Sequence, residues 1–172
     1  MKITNIQYYV EGENEQKLIN VLKTQLKMIR PGKVQKLNVI DEKITDAMLR
    51  TLQRDTTVVL IFDTDTKNID ILNYNIRKLS QYNSVRNIVT IPQVPNLEGE
   101  LIRSCDINKI TDLLNSDSIS KFKSDFIRIS NLDAKLLEHK FDIKTFWSQK
   151  PPVPYQNIDN NSKEIKLSKD KI

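Results

Sequence analysis

The sequence predicts an α/β fold, with a parallel four-stranded sheet flanked by helices and a helical C-terminal extension. Over the first 105 residues, short β-branched runs alternate with amphipathic stretches, and this alternation favours a parallel sheet covered by helices. The run at residues 57–62 is apolar throughout, which is typical of a strand buried on both faces. From residue 106 onward the periodicity is helical only. The length of 172 residues suffices for one domain with a substantial core.

The first strand–helix unit has the clearest periodicities of the N-terminal half. A strand over residues 3–10 alternates, so that Ile6, Tyr8 and Val10 share one face. A helix over residues 14–29 follows, because its apolar residues recur at helical spacing until a Pro-Gly pair ends the pattern. This unit therefore opens the predicted sheet and supplies its first covering helix.

Three further units complete the predicted sheet. A strand over residues 33–40 has an imperfect alternation, and the helix over residues 42–54 could be capped by Asp41 or by Asp46. The β-branched run and the next apolar run give the remaining strands, each followed by an amphipathic stretch. These segments are strand 57–62, helix 68–82, strand 86–91 and helix 97–105.

The C-terminal third of the chain has no strand pattern. Three short helices are predicted, at residues 107–115, 120–127 and 131–138. A proline-rich stretch follows, and the last residues are rich in Asn, Ser and Lys, a composition typical of a mobile tail. The predicted organisation is an α/β domain, a helical extension packed on it and a flexible tail, at residues 1–105, 106–150 and 151–172.

Acidic residues follow the first and third predicted strands. Glu11 comes directly before Gly12 at the end of the first strand, and Asp63 and Asp65 follow the third. The carboxyl ends of neighbouring parallel strands meet in one crevice, and alternate residues of an extended segment point the same way. Crowded carboxylates repel one another, and a hard cation bound by oxygen ligands relieves that repulsion. The sequence therefore predicts a Mg²⁺ or Mn²⁺ site for phosphate chemistry.

Other residues near these strand ends have two explanations each. Glu98 follows the fourth strand and could complete a second metal position, but a carboxylate in the first turn of a helix is also stabilised by the helix dipole. The same structural explanation is preferred for Glu13 and Glu15. For Asp63 and Asp65 the structural alternative is a turn or a helix cap.

Three residues are candidates for substrate binding. Gly12 permits a tight backbone path and the close approach of a ligand. Lys67 and Lys123 could each contact a phosphate, although a solvated surface explains both more simply. The aromatic residues of the C-terminal third are expected to pack together rather than to stack on bases. They are Phe141, Phe146 and Trp147, whereas Phe122 and Phe126 are assigned to a surface-lying amphipathic helix.

The amino-acid composition limits the cellular compartment and the classes of binding partner that we expect. The formal net charge of +5 permits a nucleic-acid partner without requiring one. Cys105 is the only cysteine and His139 the only histidine, so a reducing cytoplasm is expected and a Cys/His zinc site is not. No run of 18 apolar residues and no signal-peptide pattern occurs, so no membrane association is expected.

The chain resembles the Toprim domain, a domain shared by topoisomerases, bacterial primases, recombination proteins and OLD-family nucleases. The motifs that carry the resemblance are Val10-Glu11-Gly12 after the first strand and Asp63-Thr64-Asp65 after the third. The resemblance covers roughly residues 3–105. Within the family the chain is most similar to small stand-alone, RloB-like and OLD-like proteins, several of which act in bacterial defence. The Pro-rich turn and acidic helix at residues 92–100 loosely resemble RloB-like proteins.

The resemblance implies a parallel four-stranded sheet, Mg²⁺ held by Asp63 and Asp65, and Glu11 as metal ligand or general acid/base. It implies cleavage of phosphodiester bonds in DNA or RNA. The sequence lacks a topoisomerase tyrosine module, a primase zinc domain and an ATPase domain, so the chemistry is expected from this unit or from a partner. An ATPase partner and a homo-oligomer stay open as assemblies. The alternatives are a non-catalytic metal- or partner-binding module and, less favoured, a receiver-like phosphoacceptor domain.

Overall fold

The computed structural model describes residues 5–167, so positions 3 and 4 of the first predicted strand and positions 168–172 of the predicted tail lie outside the described residues. Four strands form one sheet in the order β2-β1-β3-β4, and every neighbouring pair is parallel. The predicted α/β architecture is confirmed. The strands are β1 Asn5–Val10, β2 Lys33–Lys36, β3 Thr56–Asp63 and β4 Val85–Gln93.

Helices cover both faces of the sheet. The first helix of the chain is followed directly by a π-helical segment, Val21–Gln25. Shorter 3₁₀ turns occur in the C-terminal third, at Ile110–Leu113, Tyr155–Asn157 and Ser162–Glu164. The α-helices are α1 Glu13–Asn20, α2 Asp46–Arg50, α3 Asp70–Ser80, α4 Leu97–Ser104, α5 Ile119–Arg128 and α6 Leu132–Glu138. Within residues 5–167, no helix has the length and apolar character needed to cross a membrane.

Two hydrophobic cores lie on opposite faces of the sheet. Alternate residues of β3 contribute to different cores, because successive side chains of a strand point to opposite faces. Val59 and Ile61 enter the core that contains α1, α4, α5 and α6, whereas Val58, Leu60 and Phe62 enter the other. All five are buried. The prediction that this strand is buried on both faces is confirmed.

Strand β2 and the helix that follows it are both shorter than the sequence predicts. The strand ends at Lys36, not at residue 40, and Asn38 begins a turn in which its side chain accepts a hydrogen bond from the Ile40 N–H at 3.1 Å. The predicted helix 42–54 shrinks to α2, which Thr45 caps by accepting from the Met48 N–H at 3.2 Å. Asn75 of α3, which is fully buried, holds this segment in place. Its side chain bonds the Ile44 N–H and the carbonyls of Val39 and Glu42.

Helix predictions elsewhere differ at their boundaries. The helix expected at 14–29 is α-helical only to Asn20 and π-helical to Gln25. The helix expected at 107–115 is a single 3₁₀ turn, Ile110–Leu113. The helices at 120–127 and 131–138 are found within one residue of their predicted limits, as α5 and α6.

The segment expected to be a mobile tail packs on the sheet over residues 155–167. The Tyr155 ring is fully buried and stacks on Phe62 at 5.9 Å between centroids, and its hydroxyl lies 3.0 Å from the Thr66 Oγ1. Ile165 is also fully buried. The Asn161 N–H donates to the Thr90 carbonyl of β4 at 2.9 Å. A few apolar residues thus order a segment whose average composition is that of a flexible chain.

Replacing Tyr155 tests this packing. Tyr155→Ala removes a fully buried ring, and loss of a large aromatic side chain from a core destabilises a protein by about 3–5 kcal/mol. Tyr74→Ala is the matched control, since Tyr74 is 37% exposed and should change stability by only about 0.5 kcal/mol. Urea unfolding followed by circular dichroism measures both. Equal, small changes for the two variants would show that residues 155–167 do not contribute to the core.

Candidate active site at the carboxyl edge of the sheet

The centre of the sheet contains a topological switch point. From β1 the chain crosses to β2 on one side, and from β3 it crosses to β4 on the other, so the carboxyl ends of β1 and β3 flank a crevice of the kind in which α/β proteins bind ligands. Glu11 directly follows β1, and Asp63 is the last residue of β3. The order of the strands therefore brings the first and second acidic motifs to one point.

Glu11 and Asp63 form a close pair of carboxyl groups. In the parallel β1–β3 register Tyr9 lies opposite Leu60, so Glu11 and Asp63 fall at the same end of neighbouring strands, and both are partly buried. Burial, followed by the charge of Glu11, raises the pKa of Asp63 to about 8. Burial also raises the pKa of Glu11, and the charge of Asp65 adds to this. The pair consequently holds a proton near neutral pH when no cation is bound.

A hydrogen-bonded chain of side chains orients Asp63. The Gln93 Nε2 donates to the Asp63 Oδ1 at 2.7 Å, and the Trp147 Nε1 donates to the Gln93 Oε1 at 3.2 Å. Because an indole N–H can only donate, the amide oxygen of Gln93 must face Trp147 and its NH₂ group must face Asp63. Both Gln93 and Trp147 are 1% exposed, so the amide has no other orientation that keeps its partners.

Trp147 is itself held at every polar group. Its φ of 55° lies in the left-handed region, which is uncommon for a residue with a side chain. The Trp147 N–H donates to the fully buried Glu100 carboxylate at 3.0 Å. The Trp147 carbonyl accepts from the Asn160 Nδ2 at 2.9 Å and from the Ser162 Oγ at 2.8 Å. These bonds hold the indole beside Gln93 despite the unfavourable backbone conformation.

Glu15 belongs to the crevice as well as to the start of α1. Its Oε2 accepts from the Gly12 N–H at 3.1 Å, as expected for a residue in the first turn of a helix. Burial raises the pKa of Glu15, and the charges of Glu11 and Glu98 contribute. The structural explanation given for Glu15 from sequence is thus incomplete. Its spacing of four residues from Glu11 was the available signal.

Gly12 has an extended conformation that other residues also adopt, with φ −150° and ψ −168°. The conformation of Gly12 thus does not require glycine, and its role in ligand binding stays a prediction. A Cβ atom at this position would meet only the Glu15 Oε2, at 3.4 Å. The backbone beside Glu11 is open to an approaching ligand.

The remaining predicted site residues are more dispersed. Asp65 is exposed, and the buried Thr64 beside it is bonded to the carbonyls of β4 and the following loop. Glu98 is ion-paired with Lys123 at 3.3 Å, which partly neutralises both charges. Lys67 is exposed and makes no ion pair with any residue in the 5–167 range.

The carboxylates do not form a preassembled metal cage. Among residues 5–167, no three His, Cys, Asp or Glu side chains are arranged to hold one ion, so Glu11, Asp63, Asp65 and Glu98 do not converge as a single cluster. Mg²⁺ is commonly bound by only one or two carboxylates, with water and substrate phosphate oxygens as its other ligands. The paired oxygens of Glu11 and Asp63, in a crevice with surplus negative charge, have the chemistry of such a site. Glu11 and Asp63 are the residues that would hold the ion.

The raised pKa of Asp63 predicts a pH-dependent stability. Between the ordinary value of 3.8 and the folded value of about 8, the folded state keeps a proton that the unfolded state releases, so stability falls as pH rises through this window. Asp63→Asn should therefore raise the melting temperature near pH 8 in EDTA and have little effect near pH 4. The exposed Asp117→Asn is the control, expected to change little at either pH. A shift for Asp63→Asn that is the same at both pH values would contradict the protonated pair.

A double-mutant cycle tests the hydrogen bond between Gln93 and Trp147. Gln93→Met and Trp147→Phe should each leave a buried polar partner unpaired, and the two effects should differ from additivity by about 0.5–3 kcal/mol. Gln93→Met combined with Leu79→Ala is the control: Leu79 lies in the last turn of α3, which precedes the start of β4, whereas Gln93 ends β4, and distant pairs add within about 0.5 kcal/mol. Urea unfolding of all variants gives the coupling energies. If the effects of Gln93→Met and Trp147→Phe on the free energy of unfolding are additive, the hydrogen bond between the two side chains does not contribute to stability.

Comparisons with known proteins assign no family to this crevice. No protein-family model matches the chain, and no curated protein or solved structure matches it.

Proposed function

We propose that this protein is a divalent-metal-dependent nuclease that cleaves phosphodiester bonds in DNA or RNA. The observation that carries the proposal is the close pair of carboxyl groups, Glu11 and Asp63, at the switch point of a parallel sheet. A crevice with surplus negative charge repels a phosphate unless a cation is bound there. The proposed activity therefore depends strictly on Mg²⁺ or Mn²⁺.

The residues of the crevice have separate roles in this proposal. A bound Mg²⁺ or Mn²⁺ would neutralise charge on the scissile phosphate and lower the pKa of a bound water. Asp63, oriented by Gln93, presents one carboxyl oxygen to the crevice while the other accepts a hydrogen bond. Glu11 lies at the open side beside Gly12, where it can bind the cation or accept a proton from the attacking water. Asp65 and Glu15 add negative charge that favours cation binding.

The resemblance to the Toprim domain supports the same function. A Glu-Gly after β1 and an Asp-x-Asp spanning the end of β3 occur in the order and at the strand ends that the family uses. The four-stranded parallel sheet fits a Toprim-like architecture. We therefore propose that the chain is a small Toprim-type protein, that it works in the cytoplasm, and that its setting is bacterial defence, with an ATPase partner or self-association as candidate assemblies.

Two observations favour a non-catalytic alternative. Glu98 is paired with Lys123, and residues 5–167 contain no group of three metal-binding side chains. A crevice that holds a cation weakly could serve to bind a basic group of a partner protein instead of a substrate phosphate. In that case the acidic residues would be needed for association and not for cleavage.

Cleavage assays separate the two functions. Glu11→Gln and Asp63→Asn should each reduce cleavage by at least about 100-fold, because each removes a charge that metal binding or proton transfer requires. Glu13→Gln is the matched control, since the Glu13 side chain is 59% exposed and is already ion-paired with Lys36 at 3.3 Å. Labelled single- and double-stranded DNA and structured RNA are incubated with Mg²⁺, Mn²⁺ or EDTA, and the products are resolved on gels.

Several outcomes would contradict the nuclease. Cleavage that persists in Asp63→Asn, or that is unaffected by EDTA, would identify a contaminant or a different site. Wild-type protein that cleaves none of the substrates in Mg²⁺ or Mn²⁺ would favour the non-catalytic module. In that event, Mn²⁺ that raises the melting temperature of the wild type but not of Asp63→Asn would still assign the cation to this crevice.

A further inference from the structure

A pocket lies next to Trp147, on the side of the C-terminal segment. Its volume is about 900 Å³, and its walls come from residues 144–151 and 156–166. Four lysines line it, Lys144, Lys150, Lys163 and Lys166, with Asp159 as the one carboxylate among the lining residues. No ion pair between these lysines and a carboxylate occurs within residues 5–167. The pocket therefore concentrates positive charge, and the nearby carboxylates of Glu100 and Asp142 act on it without forming ion pairs with the four lysines in the described part of the chain.

The pocket is built on the sheet and not on a loose loop. The Thr90 Oγ1 of β4 donates to the Asp159 carbonyl at 2.6 Å, and the Asn161 N–H donates to the Thr90 carbonyl at 2.9 Å. Asn160 and Ser162 both donate to the Trp147 carbonyl. The walls are consequently held by hydrogen bonds to the edge strand and to the residue that supports the acidic crevice.

Lys166 is the partly buried lysine of the pocket. Its ammonium group donates to the Phe146 carbonyl and is partly buried. Burial lowers the pKa of Lys166 to about 8; the charges of Glu100 and Asp142 partly oppose this, and the charge of Lys163 lowers the pKa further. A bound anion would oppose both effects, because a nearby negative charge favours the protonated amine.

We propose that this basic pocket binds the phosphate backbone of nucleic acid beside the acidic crevice. The choice of nucleic acid rests on the proposed function. The acidic crevice repels phosphates, so a substrate strand needs its attraction elsewhere on the surface, and clustered lysines supply it as point charges. Trp147 lines the pocket, and its indole donates to Gln93, which in turn bonds Asp63, so the pocket and the crevice share one supporting residue.

Nucleic-acid binding without cleavage tests the pocket. The triple variant Lys144→Gln, Lys150→Gln, Lys163→Gln removes three charges from exposed side chains and leaves the half-buried Lys166 intact. The control is Lys33→Gln, Arg50→Gln, Arg54→Gln, which removes the same charge from exposed residues, two of them at the amino-terminal ends of β2 and β3. Filter binding in EDTA measures the affinity for single- and double-stranded DNA and for RNA over a range of salt. Circular dichroism melts check that both triple variants fold.

The pocket variant should bind at least about 10-fold more weakly than the control variant. Its plot of log affinity against log salt should be shallower by about 2–3, since each lost phosphate contact removes about 0.7–0.9 from the slope. Equal affinities for the two triple variants, or no binding by wild type, would overturn the proposal. Inorganic phosphate that raises the melting temperature through the three lysines, with nucleic-acid binding unaffected, would assign the pocket to a free anion and also overturn it.

These outcomes are distinguishable from failure of the nuclease. Protein that cleaves nucleic acid but binds it independently of the three lysines would retain the proposed function and lose the pocket. Protein that binds nucleic acid through the pocket in EDTA, yet cleaves nothing with Mg²⁺ or Mn²⁺, would retain the pocket and lose the catalytic function.

Discussion

The side-chain amide of Gln93 joins the two halves of this molecule. It is buried at the end of β4, it donates to Asp63 across the sheet, and it accepts from the indole of Trp147 in the C-terminal third. Since a buried amide without partners is costly, each contact determines the direction of the other. The orientation of one carboxyl group in the crevice therefore depends on a residue 84 positions later in the chain.

The C-terminal third is part of the core and not an appendage. Phe122, Phe126, Phe146 and Trp147 are buried together with the apolar residues of β1 and β3, and Tyr155 completes the core on the opposite face. A four-stranded sheet needs covering layers on both faces, because its central strands are apolar on both sides. The segment after α4 supplies part of each layer, and through Trp147 it also supports the crevice.

The sequence predicted those elements whose formation depends on residues adjacent in the chain. The β-branched run of β3 and the acidic residues next to it are adjacent in sequence, so the position of Asp63 followed from the strand prediction. Gln93 was not predicted as a site residue, because its role depends on contacts with residues 30 and 54 positions away. The ordered packing of residues 155–167 was also not predicted. Tyr155 and Ile165 are two apolar residues among many polar ones, and the residues that they contact are distant in sequence. The shortened α2 reflects the Asn38 turn and the buried Asn75, which replace helical hydrogen bonds with side-chain ones.

The position of Trp147 also has a spectroscopic consequence. The chain contains one tryptophan, and its ring is buried against the amide that orients Asp63. Intrinsic fluorescence excited in the indole band therefore arises from a single site, adjacent to both the crevice and the basic pocket. The emission wavelength and the quenching of this fluorescence therefore report on the environment of the Trp147 ring, without any added label.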